Sequence, residues 1–122
     1  MDDLADRTKQ FAVSVLRFCA RLPAKAEFQV VRGQLGRSGG SVGANYRAAR
    51  RSRSPADFIH KLSIVEEEAD ESAYLLEILG ELGLENDAAH IRLHGEANQL
   101  TAIMVASKKT ARTSPQRAVP RS

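Results

Sequence analysis

The chain has 122 residues, 43% hydrophobic and 27% charged, with a net charge of +3, one cysteine and no tryptophan. That length supports one domain with a single core. The lone Cys19 excludes an internal disulfide and fits a reducing cytoplasm, the longest uncharged run (residues 97–107) is about half what a membrane-spanning helix needs, and Met1 followed by two aspartates is the wrong opening for a secretory signal.

Four helical periods follow one another with short breaks, and no segment carries a strand pattern. The first helix is expected over about residues 3–22. Leu4, Thr8, Phe11, Val15, Phe18 and Leu22 recur by four and three, Ala12 and Cys19 widen the stripe, and Pro23 stops it. The second is expected over about residues 26–51, with Phe28, Val31, Leu35, Ser38, Val42, Asn45 and Ala49 on its inner face. The third begins at Ser54-Pro55-Ala56-Asp57. Serine is a good N-cap, proline suits the first helical position, and the acid sits where a capping box wants one. Its inner stripe is Phe58, Leu62, Val65, Ala69, Ser72, Leu76 and Leu79. Gly83 can end it in a left-handed cap with Leu84 folding back. Asn86 or Asp87 can cap the fourth helix, which runs to about Lys109 and carries Leu93, Ala97, Leu100 and Met104 on one face.

Breaks this short make consecutive helices antiparallel neighbours, so the expected fold is all-α, an antiparallel up-down-up-down four-helix bundle over residues 1–110. Residues 111–122, with two prolines, scattered basic residues and no period, read as a disordered basic tail.

The stretch GRSGGSVGANYRAARR, residues 36–51, concentrates glycines and arginines. A phosphate-binding loop needs a preceding strand and, in the Walker form, a lysine followed by Ser or Thr; neither is present. The glycines therefore lie inside the second helix, at about 0.8–1 kcal/mol each against alanine. Such a cost makes sense where another backbone approaches closely, from a neighbouring helix or a second chain. Helix three has a second apolar face, Ile64, Leu75, Ile78 and Leu82. That face and the flank Gly36, Gly40 and Gly43 form the expected oligomer interface.

Polar residues at inner positions point to a network between helices two and three: Arg37, Ser38, Asn45, Glu68 and Glu71, with register as its expected purpose. The acidic run EEEADE does not make a di-metal site, because no glutamate precedes a histidine at the required spacing. His60, His90 and His94 read as surface or rim residues, and Cys19 as a core thiol. No Ser/His/Asp arrangement is present, so no catalytic residue, metal or cofactor is assigned.

Charge is sharply segregated. Residues 1–53 carry +7, residues 54–95 carry −8 and residues 96–122 carry +4. The near balance favours mutual neutralisation inside the fold over a dedicated nucleic-acid surface. The exception is Arg47, Arg50, Arg51 and Arg53. A helix C-terminus favours cations, but four arginines in seven residues exceed what capping needs, and they are the candidate phosphate-backbone contacts.

The pattern Gln34, Leu35, Arg37, Ser38, Ser41, Ala44, Asn45, then an Arg/Ser-rich loop, then Asp57, Phe58, Lys61, Leu62, Ser63, Glu68, Ala69, Glu71, Ser72 resembles the four-helix bundle proteins related to the ribosomal RNA intervening-sequence protein. It also resembles the accessory variability protein of diversity-generating retroelements. The match covers roughly the middle 50 residues; Gly43 and Tyr46-Arg47-Ala48 depart from it. The resemblance implies a bundle that assembles into a ring, typically a homopentamer. In the retroelement branch it implies binding to a reverse transcriptase and structured RNA. The resulting expectation is a non-enzymatic, cytoplasmic homo-oligomeric adaptor for structured RNA or a reverse-transcriptase-like nucleoprotein; a protein-protein scaffold without a nucleic-acid role is the alternative, and a nuclease or metal-binding bundle a more distant one.

Overall fold

The computed structural model describes residues 3–113. Four helices follow in order: α1 (Asp3–Ala20), α2 (Ala26–Arg50), α3 (Pro55–Leu79) and α4 (Ala88–Thr113), with one π-helical turn, Gly80–Leu84, after α3. Each boundary has a local cause. α1 loses its period at the residues before Pro23. α3 starts where Ser54, in an extended conformation, accepts the Asp57 N–H at 3.1 Å, with Pro55 in the first turn. The chain leaves the π turn at Gly83, whose φ of +113 is closed to most side chains, and Leu84 folds back onto the core. Asp87 then caps α4, its Oδ1 accepting the His90 N–H at 3.0 Å. α4 extends past the expected end near Lys109 to Thr113, and Ala111 is buried. Residues 111–113 are therefore helix; the rest of the expected tail lies outside the described residues.

Neighbouring helices run antiparallel. Along the α1–α2 seam Gly43 sits over Thr8, Gly39 over Val15, and the Arg32 carbonyl beside Cys19. Along α3–α4, Leu76 meets His90 at one end and Ser63 meets Lys108 at the other. α3 packs heavily on α2 and α4, whereas α1 leans on α2 and touches α4 little. The thin α1–α4 seam is closed by a fork: Arg7 donates to both Glu96 carboxylate oxygens at 2.7 Å and to Gln99 Oε1 at 2.7 Å.

The inner stripes form one core. Leu35, Leu62, Leu76, Leu79, Leu100 and Met104 are fully buried, each contributing about 1.5–3 kcal/mol of apolar burial. Leu75, expected on a second outward face, is also inside this core at 3% exposure. Ile78 packs against it half-buried, Ile64 is half-buried, and only Leu82 is exposed. The expected apolar interface face is thus largely used within the chain. The reason is that α3 is flanked by helices on both sides, which widens its buried arc beyond a single stripe. None of the helices is long and apolar enough to cross a membrane.

Candidate nucleic-acid interface

The glycine-rich stretch is helical throughout, from Gly36 to the end of α2. Two of its glycines are explained by α1. A Cβ on Gly39 would lie 2.8 Å from Val15 Cγ1, and one on Gly43 would lie 3.3 Å from the Thr8 backbone. The close-approach expectation therefore holds for these positions with a neighbouring helix of the same chain. Gly40 is different: a Cβ there would meet nothing within 4 Å.

Where α1 and α2 come this close, their small side chains leave a groove of about 770 Å³. Gly40, Gly43 and Ala44 line it from α2, and Ala5, Lys9 and Ala12 from α1. Arg47, Arg50 and Arg51 continue the α2 side toward the end of the bundle. Positions 40, 43, 44, 47 and 51 recur by three and four, so they share one helix face. Arg47, Arg50, Arg51 and Arg53 are all exposed. Among the described residues the guanidinium groups of Arg47, Arg51 and Arg53 form no ion pair, so neutralisation inside the fold does not reach them. The antiparallel topology adds cations the linear reading missed. The end of α4 lies beside the start of α3, so exposed Lys109 and Arg112 stand at the same end of the bundle as the α2–α3 loop. The signal was available: an even number of antiparallel helices returns the chain to that end.

The polar network between α2 and α3 forms in part. Arg37 reaches Glu68 at 3.2 Å and also pairs with Glu71. The two carboxylates, Glu71 first, hold its guanidinium above its usual value. Below them Ser38 and Ser72 share a buried hydrogen bond of 2.9 Å. Asn45 does not join. It is half-buried and donates to the Ser41 carbonyl one turn back, at 2.8 Å. A short amide two turns along α2 finds its own backbone before it can reach α3.

A family model for the 23S rRNA-intervening sequence protein matches residues 3–106. The chain belongs to that family. It is also similar to a crystal structure of a protein of unknown function from the S23 ribosomal protein family of Bacteroides thetaiotaomicron, with a TM-score of 0.79 and 30% identity, over 87% of this chain and 98% of that one. No curated protein matches it.

In this intervening-sequence family member the histidines divide. His60 is exposed and His94 half-buried, but His90 is buried at 7% exposure, against the expectation of a rim position. Its Nε2 lies 2.6 Å from the Leu76 carbonyl oxygen, so Nε2 carries the proton and donates. Nδ1 is buried without a partner. His94 stacks on His90 with ring centroids 6.4 Å apart and pairs with Glu77 at 3.0 Å. The pair ties the start of α4 to the end of α3. Cys19 is buried, 3.8 Å from the Arg32 carbonyl oxygen, and burial pushes its thiol above its usual value, away from the thiolate a nucleophile needs. Among the described residues no group of three or more acidic, histidine or cysteine side chains could hold a metal ion.

Proposed function

We propose that this chain is a non-enzymatic, homo-oligomeric helical adaptor of the cytoplasm that binds structured RNA through one basic end of the bundle. The observation that carries the reading is the unpaired set Arg47, Arg51 and Arg53 standing at the same end as Lys109 and Arg112. Exposed cations without intramolecular partners are free to replace the counterions of a phosphate backbone. They present no base-reading arrangement, so affinity should depend on charge and shape rather than on sequence. The family name, which ties its members to 23S rRNA, supports the same partner class. A reverse-transcriptase-like nucleoprotein is the protein partner that the retroelement resemblance implies.

The test is retention of a folded RNA by the purified full chain across a salt series. About six phosphate contacts should cost on the order of 10³ in affinity between about 50 and about 200 mM salt. Replacing Arg50, Arg51 and Arg53 together by glutamine should abolish retention and leave helicity intact. A parent that retains no folded RNA at low salt, or a triple variant that binds like the parent, overturns the RNA reading. The protein-protein scaffold then takes its place, a reading favoured by the exposed Tyr74 among carboxylates on the outer face of α3.

A further inference from the structure

The α1–α2 groove has two chemically distinct parts. Its floor is Gly40, Gly43 and Ala44 on one wall and Ala5 and Ala12 on the other, with no polar side chain among them. Its rim is cationic on both sides. A Cβ on Gly43 would lie 3.5 Å from the Lys9 backbone nitrogen, which sets Lys9 at the level of Gly43, and Arg47 follows Gly43 by one turn on the facing wall. Lys9 is exposed and, like Arg47, forms no ion pair among the described residues. No carboxylate lines the groove.

A ligand that satisfies both parts carries a flat, weakly polar ring on an anionic linker, which is the make-up of a nucleotide. The groove's volume of about 770 Å³ falls in the range of small-molecule sites. Gly40 to Arg47 spans about 10 Å of helix, the reach of one nucleotide from its phosphate to the far edge of its base. Gly40 keeps the floor at backbone level where no neighbour in its own chain requires it. In an A-form duplex the bases are stacked inside, and the outside offers phosphates and a shallow minor groove, so a duplex can touch the rim and leave the floor empty. A nucleotide in a bulge or loop can be splayed out with its base free and its phosphates still attached. The glycine and alanine floor carries no side chain that reads a base edge, so it takes any base.

We infer that the α1–α2 groove holds one unpaired nucleotide of the bound RNA. The base lies on Gly40, Gly43 and Ala44, and its flanking phosphates meet Lys9 and Arg47. The preferred RNA is therefore one interrupted by a bulge or loop, over an uninterrupted duplex. The inference rests on the RNA reading of the proposed function. It keeps Arg47 as an RNA contact and adds Lys9 to it.

The experiment titrates the full chain against two RNAs at low salt: a duplex with a single bulged 2-aminopurine, and the same duplex with that base paired. The parent should bind the bulged RNA about tenfold more tightly, equivalent to about 1.4 kcal/mol, which about 55 Å² of base surface removed from water supplies. Binding should change the 2-aminopurine emission of the bulged RNA and not of the paired one. Gly40→Leu and Ala44→Leu keep every cation and put a side chain into the groove. Each should stay helical by circular dichroism and bring the affinity for bulged RNA down to that for the paired duplex. Lys9→Gln should flatten the log-log salt slope by about 0.7–0.9 on the bulged RNA, and by less on the paired one. Equal parent affinities for the two RNAs, unchanged emission, leucine variants that keep the preference, or a Lys9→Gln effect shared equally by both RNAs each overturns the inference and leaves the RNA reading standing. A parent that retains neither RNA removes both. If either leucine variant instead changes the sedimentation of the RNA-free chain, the groove belongs to a second copy and nucleotide capture is overturned.

Discussion

Ser38 of α2 and Ser72 of α3 hold a 2.9 Å hydrogen bond in the middle of the core, with both residues fully buried. Each hydroxyl also has a carbonyl one turn back: Ser72 donates to Glu68 at 2.9 Å, and Ser38 lies 3.3 Å from Leu35. The pair fixes the level at which two otherwise apolar faces meet. Ser38→Ala or Ser72→Ala should each cost about 1 kcal/mol in urea unfolding. The double variant should cost less than the sum, with a coupling of about 0.5–1.5 kcal/mol. Strict additivity would show that the bond does not couple the helices.

The glycines of α2 should separate under substitution by alanine. Gly33 has nothing within 4 Å of an added Cβ, so Gly33→Ala should raise stability by about 0.8–1 kcal/mol. Gly39→Ala would press a methyl to 2.8 Å from Val15, in a β-branched side chain with no free rotamer to yield. It should lower stability by about 1–3 kcal/mol despite the helix gain. Melting of the two single variants decides the point, since equal effects would leave the α1–α2 approach unsupported.

His90 should behave as a structural residue. His90→Leu removes the donor to Leu76 and should cost about 1–3 kcal/mol. Amide exchange should accelerate at the end of α3 and through the π turn before it does elsewhere. Uniform acceleration along the chain would contradict a local tie.

Acid should weaken the α4 cap. The His90 N–H, followed by Arg21, holds the Asp87 carboxyl below its ordinary value of 3.8. A folded-state value that is lowered gives stability that is full above the ordinary carboxylate range and is lost as pH falls through the folded value. The thermal midpoint of the parent should therefore fall as pH drops below about 4, and by more than that of Asp87→Asn, which keeps an acceptor but no titrating charge. Parallel pH profiles would reject a charged cap.

Cations at the two ends should differ in their effect on RNA. Lys109→Gln with Arg112→Gln should reduce the steepness of the salt dependence by about 1–2 in log-log slope. Arg17→Gln, at the last turn of α1 and the opposite end, should leave it unchanged. Equal effects from both ends would mean diffuse charge rather than a basic end.

The inner stripes of all four helices, the Ser54 cap, an α4 cap at Asn86 or Asp87 and the left-handed Gly83 were legible in the sequence, because periodicity and capping are set by residues within a few positions of each other; the structure chose Asp87. So was the family, since its motif runs continuously through α2 and α3. Tertiary structure decided which apolar residues outside those stripes are buried. Leu75 and His90 entered the core because α3 and α4 each pack against more than one neighbour, and one helix's period cannot report the width of contact on its flanks. It also decided that Gly39 and Gly43 answer to α1, that Asn45 turns back to Ser41, and that Lys9, Lys109 and Arg112 join the arginines of α2. Those facts depend on the order and level at which helices distant in sequence meet. The sequence alone determined that glycines and arginines share one helix; only the packing of α1 against it determined that they line a groove.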